Sequence, residues 1–245
     1  MNGHTSFRSG NPTLNKNTFK SFSVTGENQM TLDGTVNKTG ISLLLLIFTA
    51  AYTWNSPSLP LMALGGIGGF IVGILTHFKR HLSAITVPIY AALEGLLLGG
   101  ISTMFEQLYP GIVSQAIFIT FGILASLLIA YKSGFIKPTE NFKLGVAAAT
   151  GGIAFIYMIS WVMSFWGGSI PLIHSSSTFG IVFSIGVIII AALNLVLDFD
   201  FIEQGVEMGA PKYMEWYGAF GLMVTLIWLY LEILRLLAKL NSRRN

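Results

Sequence analysis

The chain has 245 residues, of which 53% are apolar and 10% charged, where ordinary soluble domains carry about 25% charged residues. So little charge excludes a soluble globular protein, and the net charge of +3 gives nucleic-acid binding no support beyond a few tail lysines. There is no cysteine, which excludes disulfides and thiolate chemistry.

Met1 to Lys38 is rich in Asn, Ser, Thr and Gly and has no apolar core that could serve as a signal sequence. It reads as a disordered polar tail, with the stretch from Met30 to Lys38 able to order against the first span. About seven segments then approach the roughly 20 apolar residues that a helix needs to cross a bilayer. They are Gly40 to Trp54, Leu59 to Phe78, Ser83 to Phe105, Ile112 to Tyr131, Leu144 to Trp166, Thr178 to Phe201 and Trp216 to Leu237. The predicted architecture is all-α: a polytopic membrane bundle over residues 39–240, followed by a basic C-terminal tail over 241–245. Lipid-exposed strands are excluded, because open edges leave backbone groups unpaired in hydrocarbon.

Basic residues set the orientation. The tail carries Arg8, Lys16, Lys20 and Lys38; the second loop Lys79 and Arg80; the fourth Lys132, Lys137 and Lys143; the sixth Lys212. The first, third and fifth loops have none, so the N-terminus and the even loops are expected in the cytoplasm. Arg235, Lys239, Arg243 and Arg244 then lie on the opposite side if the seventh segment crosses fully, as its length predicts. The absence of cysteine and of a targeting segment leads us to expect a bacterial inner-membrane protein.

Small residues cluster in the second span (Gly65, Gly66, Gly68, Gly69, Gly73), the third (Gly95, Gly99, Gly100) and the fifth (Ala147 to Gly152). They suit close helix packing. No strand precedes the glycine cluster and no lysine-bearing helix start follows, so phosphate binding is not expected there.

Ionisable residues within spans are few: Glu94, Asp198, Asp200 and Glu232, with His77 near the end of the second. Charge in hydrocarbon needs a basic partner, a proton, a cation or a water-filled cavity. Asp198 follows Asn194 by one turn on the same face, while Asp198 and Asp200 point about 200° apart, so only one of them can face the bundle interior. Asp198 reads either as an ion or gating site or as a wetted span terminus beside the acidic residues Glu203, Glu207 and Glu215. Glu94 lies about half-way along the third span with no basic residue within a turn. Glu232 stands one turn before Arg235, a spacing that suits a local ion pair. His77 is a titratable candidate, or an interfacial residue beside Lys79, Arg80 and His81.

Enzyme motifs are lacking: there is no Gly-x-Ser-x-Gly and no His-Glu-x-x-His. Of the four histidines, His4 is in the tail and His174 is expected across the membrane from His77 and His81, so a three-histidine zinc site is not expected. No catalytic residue, metal or cofactor is predicted.

Three stretches resemble the Bax inhibitor-1 family of membrane proteins (TMBIM, or YccA-like). Ala92-Leu93-Glu94-Gly95-Leu96 is similar to its third-span motif, Leu197-Asp198-Phe199-Asp200-Phe201-Ile202 to its sixth-span Tyr-Asp-x-x-x-Ile motif, and Leu229-Tyr230-Leu231-Glu232-Ile233-Leu234-Arg235-Leu236-Leu237 to its last-span Leu-Phe-x-x-Leu-Leu-Arg run. The resemblance covers Thr39 to Leu240 and implies six helices around a central seventh. It also implies a passive, pH-sensitive calcium leak in which an Asp on the sixth span pairs with one on the seventh, and an arginine ending the second span acts as a latch. Asp198 matches the sixth-span Asp, but Thr225 stands at the seventh-span position and His77 at the latch position, with Lys79 and Arg80 just beyond. Thr225 can donate to ionised Asp198 but cannot titrate; an Asp198–His77 pair is an alternative sensor.

The expected partners are the lipid bilayer, calcium or another cation, and a membrane-protein partner. A second reading, also implied by the resemblance, is a non-conducting interaction protein that modulates a membrane protease or stress-response partner through its tails.

Overall fold

A computed structural model describes residues 28–244, apart from 169, 171, 172 and 174. The tail residues before Asn28, including His4, and also His174 lie outside this range. Among the described residues seven helices are long and apolar enough to cross a membrane. They are α1 (Leu32–Asn55), α2 (Leu59–Phe78), α3 (Ser83–Leu108), α4 (Ile112–Lys132), α5 (Glu140–Ser164), α6 (Thr178–Glu207) and α7 (Met214–Arg244).

Local chemistry explains the boundaries. Residues 32–38, read from composition as the end of the tail, form the first turns of α1 instead. Thr31 is extended and its Oγ1 accepts from the Gly34 amide at 3.0 Å, which caps a helix that begins at Leu32, ahead of Thr39. α2 starts at Leu59, after an extended Ser58, with Pro60 in its first turn, where a missing N–H costs nothing. Thr139 caps α5 through the Phe142 amide, so that helix begins at Glu140 rather than Leu144. α6 does not stop near Phe201 but runs to Glu207 and ends before Gly209, whose φ of 63° is left-handed. Within these spans many hydroxyls, among them Thr49, Thr76, Thr86 and Thr120, donate to carbonyls one turn back. Those donors are thereby satisfied where water is scarce, whereas the buried Ser42 Oγ of α1 meets no partner among the described residues.

The chain divides into two compact units, and α6 and α7 each contribute to both. The first unit comprises residues 28–110 and 200–224. Here α3 packs against α1 and α2 across glycines. A Cβ on Gly95 would lie 2.3 Å from Leu46 O, and one on Gly99 2.1 Å from Ala50 O. On the other side, a Cβ on Gly65 would meet Leu93 O at 2.5 Å. Backbone therefore lies directly on backbone, the contact that small residues permit in a membrane.

One end of this unit collects three helix starts. Met30 N donates to Ala210 O at 2.6 Å, Lys212 N to Asn28 O at 2.8 Å, and Ser83 Oγ to Tyr213 O at 2.8 Å. The tail exit, the second loop and the sixth loop thus share one side, as alternating spans require.

The second unit comprises residues 111–199 and 225–244. At its far end Lys239 Nζ donates to Gly180 O and Arg243 Nη1 to Thr178 Oγ1. The last turns of α7 therefore lie beside the first turns of α6 within this unit.

α7 is the most buried helix: 61% of its apolar window is covered, followed by 50% for α6, against 11% for α5. Large apolar side chains such as Phe70 of α2, Phe118 of α4 and Phe179 in the first turn of α6 stand exposed, a surface that lipid would cover.

Candidate functional site

In the second unit the polar groups sit on α5, α6 and α7. Asn194 is buried and its Nδ2 donates to Thr150 Oγ1 on α5 and to Ile190 O, both at 2.8 Å. One turn on, Asp198 has no exposed surface. It is not a wetted terminus, because more than two helical turns follow it before Glu207. Thr225, at the position where the resemblance places a second aspartate, is 2% exposed in the same unit.

Two turns past Thr225, Glu232 is likewise buried. Its Oε1 accepts from Tyr157 OH at 2.8 Å and from Arg235 Nη1 at 2.7 Å. Arg235 also donates to Tyr157 OH at 2.8 Å and stacks on that ring. The local ion pair read from the i,i+3 spacing is present, with Tyr157 as a third member that sequence reasoning missed. Among the described residues no partner meets Glu232 Oε2.

Seven residues further, Lys239 is 5% exposed. Thr225, Glu232 and Lys239 repeat every seven positions, close to two helical turns, so α7 carries one buried polar face. That spacing was the signal that could have revealed Lys239, which falls just past the expected end of the seventh span at Leu237.

In the first unit Glu94 is half-buried on α3. It lies over Gly69 of α2, where a Cβ would stand 2.6 Å from its Oε1, so the glycine makes room for the carboxylate. One turn earlier Tyr90 meets Phe220 of α7 edge-on at 4.9 Å. His77 Nδ1 lies 3.5 Å from Tyr217 OH, and the Arg80 guanidinium lies over the same ring at 5.4 Å. The structure thus brings His77 and Arg80 together on Tyr217, within the first unit, whereas Asp198, Thr225 and Glu232 belong to the second. Asp200, on the other face of α6, is half-buried and Gln204 Nε2 donates to its Oδ2.

Glu215, grouped by sequence with an acidic loop, sits instead in the first turn of α7 with no exposed surface. Its Oε1 accepts from Thr31 N at 2.9 Å and Thr31 Oγ1 at 2.8 Å, and its Oε2 pairs with Lys38 Nζ. No local signal could have found this, since Thr31 and Glu215 are 184 residues apart. The clasp joins the entry of α1 to the entry of α7. Beside it, burial raises the Tyr213 hydroxyl above its ordinary range, and the Arg80 charge opposes this.

Among the described residues no three His, Asp or Glu side chains gather as a metal centre would need. What the arrangement offers in the second unit is buried polar side chains on α6 and α7, among them Asn194, Asp198, Thr225, Glu232 and Lys239.

Seven apolar helices with polar groups turned inward define a multi-pass membrane protein embedded in a lipid bilayer. Residues 11–242 match the family model described as Bax inhibitor 1 like, and the chain belongs to that family. No curated protein and no solved structure matches it.

Proposed function

We propose that this protein is not an enzyme but a passive, pH-sensitive cation leak, with calcium as the ion, or the regulator of one. The observation that carries the reading is Asp198. It is fully buried on α6, one turn from an amide fixed to Thr150, in a chain whose lipid-facing surface is apolar. An acidic residue kept there at the cost of desolvation implies a cation or a proton as its occasional partner. Thr225 supplies a hydroxyl that can hydrogen-bond the ionised form but cannot share a proton. Protonation therefore rests on Asp198 alone rather than on a carboxylate pair. Glu94, in the space left by Gly69, is a further acidic group, within its own unit. Arg80 and His77 act as the latch by holding the α7 ring of Tyr217. The tail and even loops face the cytoplasm of a bacterial inner membrane, a placement supported by their lysines and arginines.

The test is calcium entry into proteoliposomes at several pH values, for the wild type and Asp198→Asn. Wild-type flux is expected to depend on pH, and the variant to lose flux and pH dependence together. No flux at any pH in the wild type would sink the channel reading and leave the non-conducting interaction protein.

A further inference from the structure

Lys239 is oddly placed for a lysine near the end of a membrane helix. Such side chains ordinarily snorkel to the interface and keep the ammonium in water. Arg243, one turn beyond, has an exposed side chain, and Arg235, one turn before, is partly exposed. Lys239 alone turns inward and retains 5% of its surface.

Its contacts there are both neutral. Nζ donates to Gly180 O at 3.0 Å and to Ser184 Oγ at 2.8 Å. These two oxygens lie one turn apart on the same face of α6. The carbonyl of Gly180 has a second lone pair beyond its helical bond, and Ser184 is itself 1% exposed. The nearest carboxylate on the same helix, Glu232, is two turns away and already engaged by Arg235 and Tyr157. A buried ammonium held by a carbonyl and a hydroxyl is held by the same oxygen types that strip water from a hard cation in a pore.

We propose that Gly180 O and Ser184 Oγ form part of a monovalent-cation site at this end of α6, and that the Lys239 ammonium occupies it as a tethered cation that keeps free ions out. This goes beyond the leak reading and does not depend on it, because its measurement is binding rather than flux.

The experiment is thermal unfolding of the full chain in detergent, in KCl, RbCl and choline chloride at equal ionic strength. The wild type is expected to melt at one temperature in all three salts, since its site is filled. Lys239→Ala and Lys239→Gln are expected to melt several degrees higher in KCl and RbCl than in choline chloride, because an ion that binds only the folded state stabilises it. The glutamine keeps most of the side-chain volume, so it carries the test if the alanine variant does not fold. Adding Ser184→Ala to Lys239→Gln is expected to abolish the ion-specific shift. Equal melting of the folded variants in all three salts overturns the proposal, and so does a wild type stabilised by potassium as much as the variants are.

Discussion

Substitution of Glu215 tests the clasp between the first and last helices. The carboxylate has no exposed surface, takes two hydrogen bonds from Thr31, and pairs with Lys38, whose side chain keeps 18% of its surface, and with Lys212 at 3.9 Å. Glu215→Ala leaves the Thr31 amide and hydroxyl without their acceptor and the Lys38 ammonium without its counter-charge. Breaking a buried pair on one side costs roughly 3–5 kcal/mol, and the water still reaching Lys38 places this case near about 3 kcal/mol. At about 1.4 kcal/mol per tenfold, local opening at the start of α1 becomes about 100-fold more frequent. The chain has no cysteine, so Thr35→Cys, at a position 1% exposed, gives a single reporter of that opening. Maleimide labelling of this cysteine in detergent is expected to be slow with Glu215 present and about 100-fold faster with Glu215→Ala. Lys38→Met combined with Glu215→Gln removes both charges and is expected to recover part of the loss. Gly34→Ala, whose Cβ would stand 2.1 Å from Glu215 Oε1, is expected to act in the same direction as Glu215→Ala. Equal labelling rates with and without Glu215 would refute the reasoning, since the clasp would then hold nothing.

Two further outcomes follow from geometry already described. Gly65→Ala, which drives a Cβ against Leu93 O at 2.5 Å, is expected to lower unfolding stability by about 1–3 kcal/mol, whereas Gly66→Ala, whose nearest neighbour is a leucine methyl at 3.5 Å, is expected to change little; thermal unfolding of the pair decides, and equal losses would contradict the seam. Single cysteines at Asn28 and Ser242 are expected to react with a membrane-impermeant maleimide from opposite sides of sealed vesicles, and labelling from one side only would rule out seven full spans.

The span count and the sharing of one side by the tail exit, second loop and sixth loop were legible because they rest on local properties: long apolar runs, and charge confined to alternate loops. α2 matched from end to end, since Ser58 and Pro60 mark its start and a basic loop its finish. α6 was read too short because acidic residues after Phe201 look like loop, yet nothing there breaks a helix before Gly209. That shortfall is why Asp198 could be mistaken for a wetted cap. Glu94 and its glycine were individually visible, but their apposition depends on the register of α2 against α3. Tyr157 and Glu215 were not legible as site residues, because their roles come from partners 75 and 184 residues away. The sequence pairing of Glu232 with Arg235 succeeded for the opposite reason: both lie on one helix within one turn.

The buried polar face of α7 also limits how that helix can move. Thr225, Glu232 and Lys239 all point inward, and a turn of the helix by one residue, about 100°, would carry two charged groups toward hydrocarbon. At roughly 2.5–3.5 kcal/mol for each, such a rotation is opposed by about 5 kcal/mol or more. Sliding along the axis, or tilting, keeps all three groups inside the protein. Any movement of α7 is therefore a piston or a rocker, with its rotational register locked.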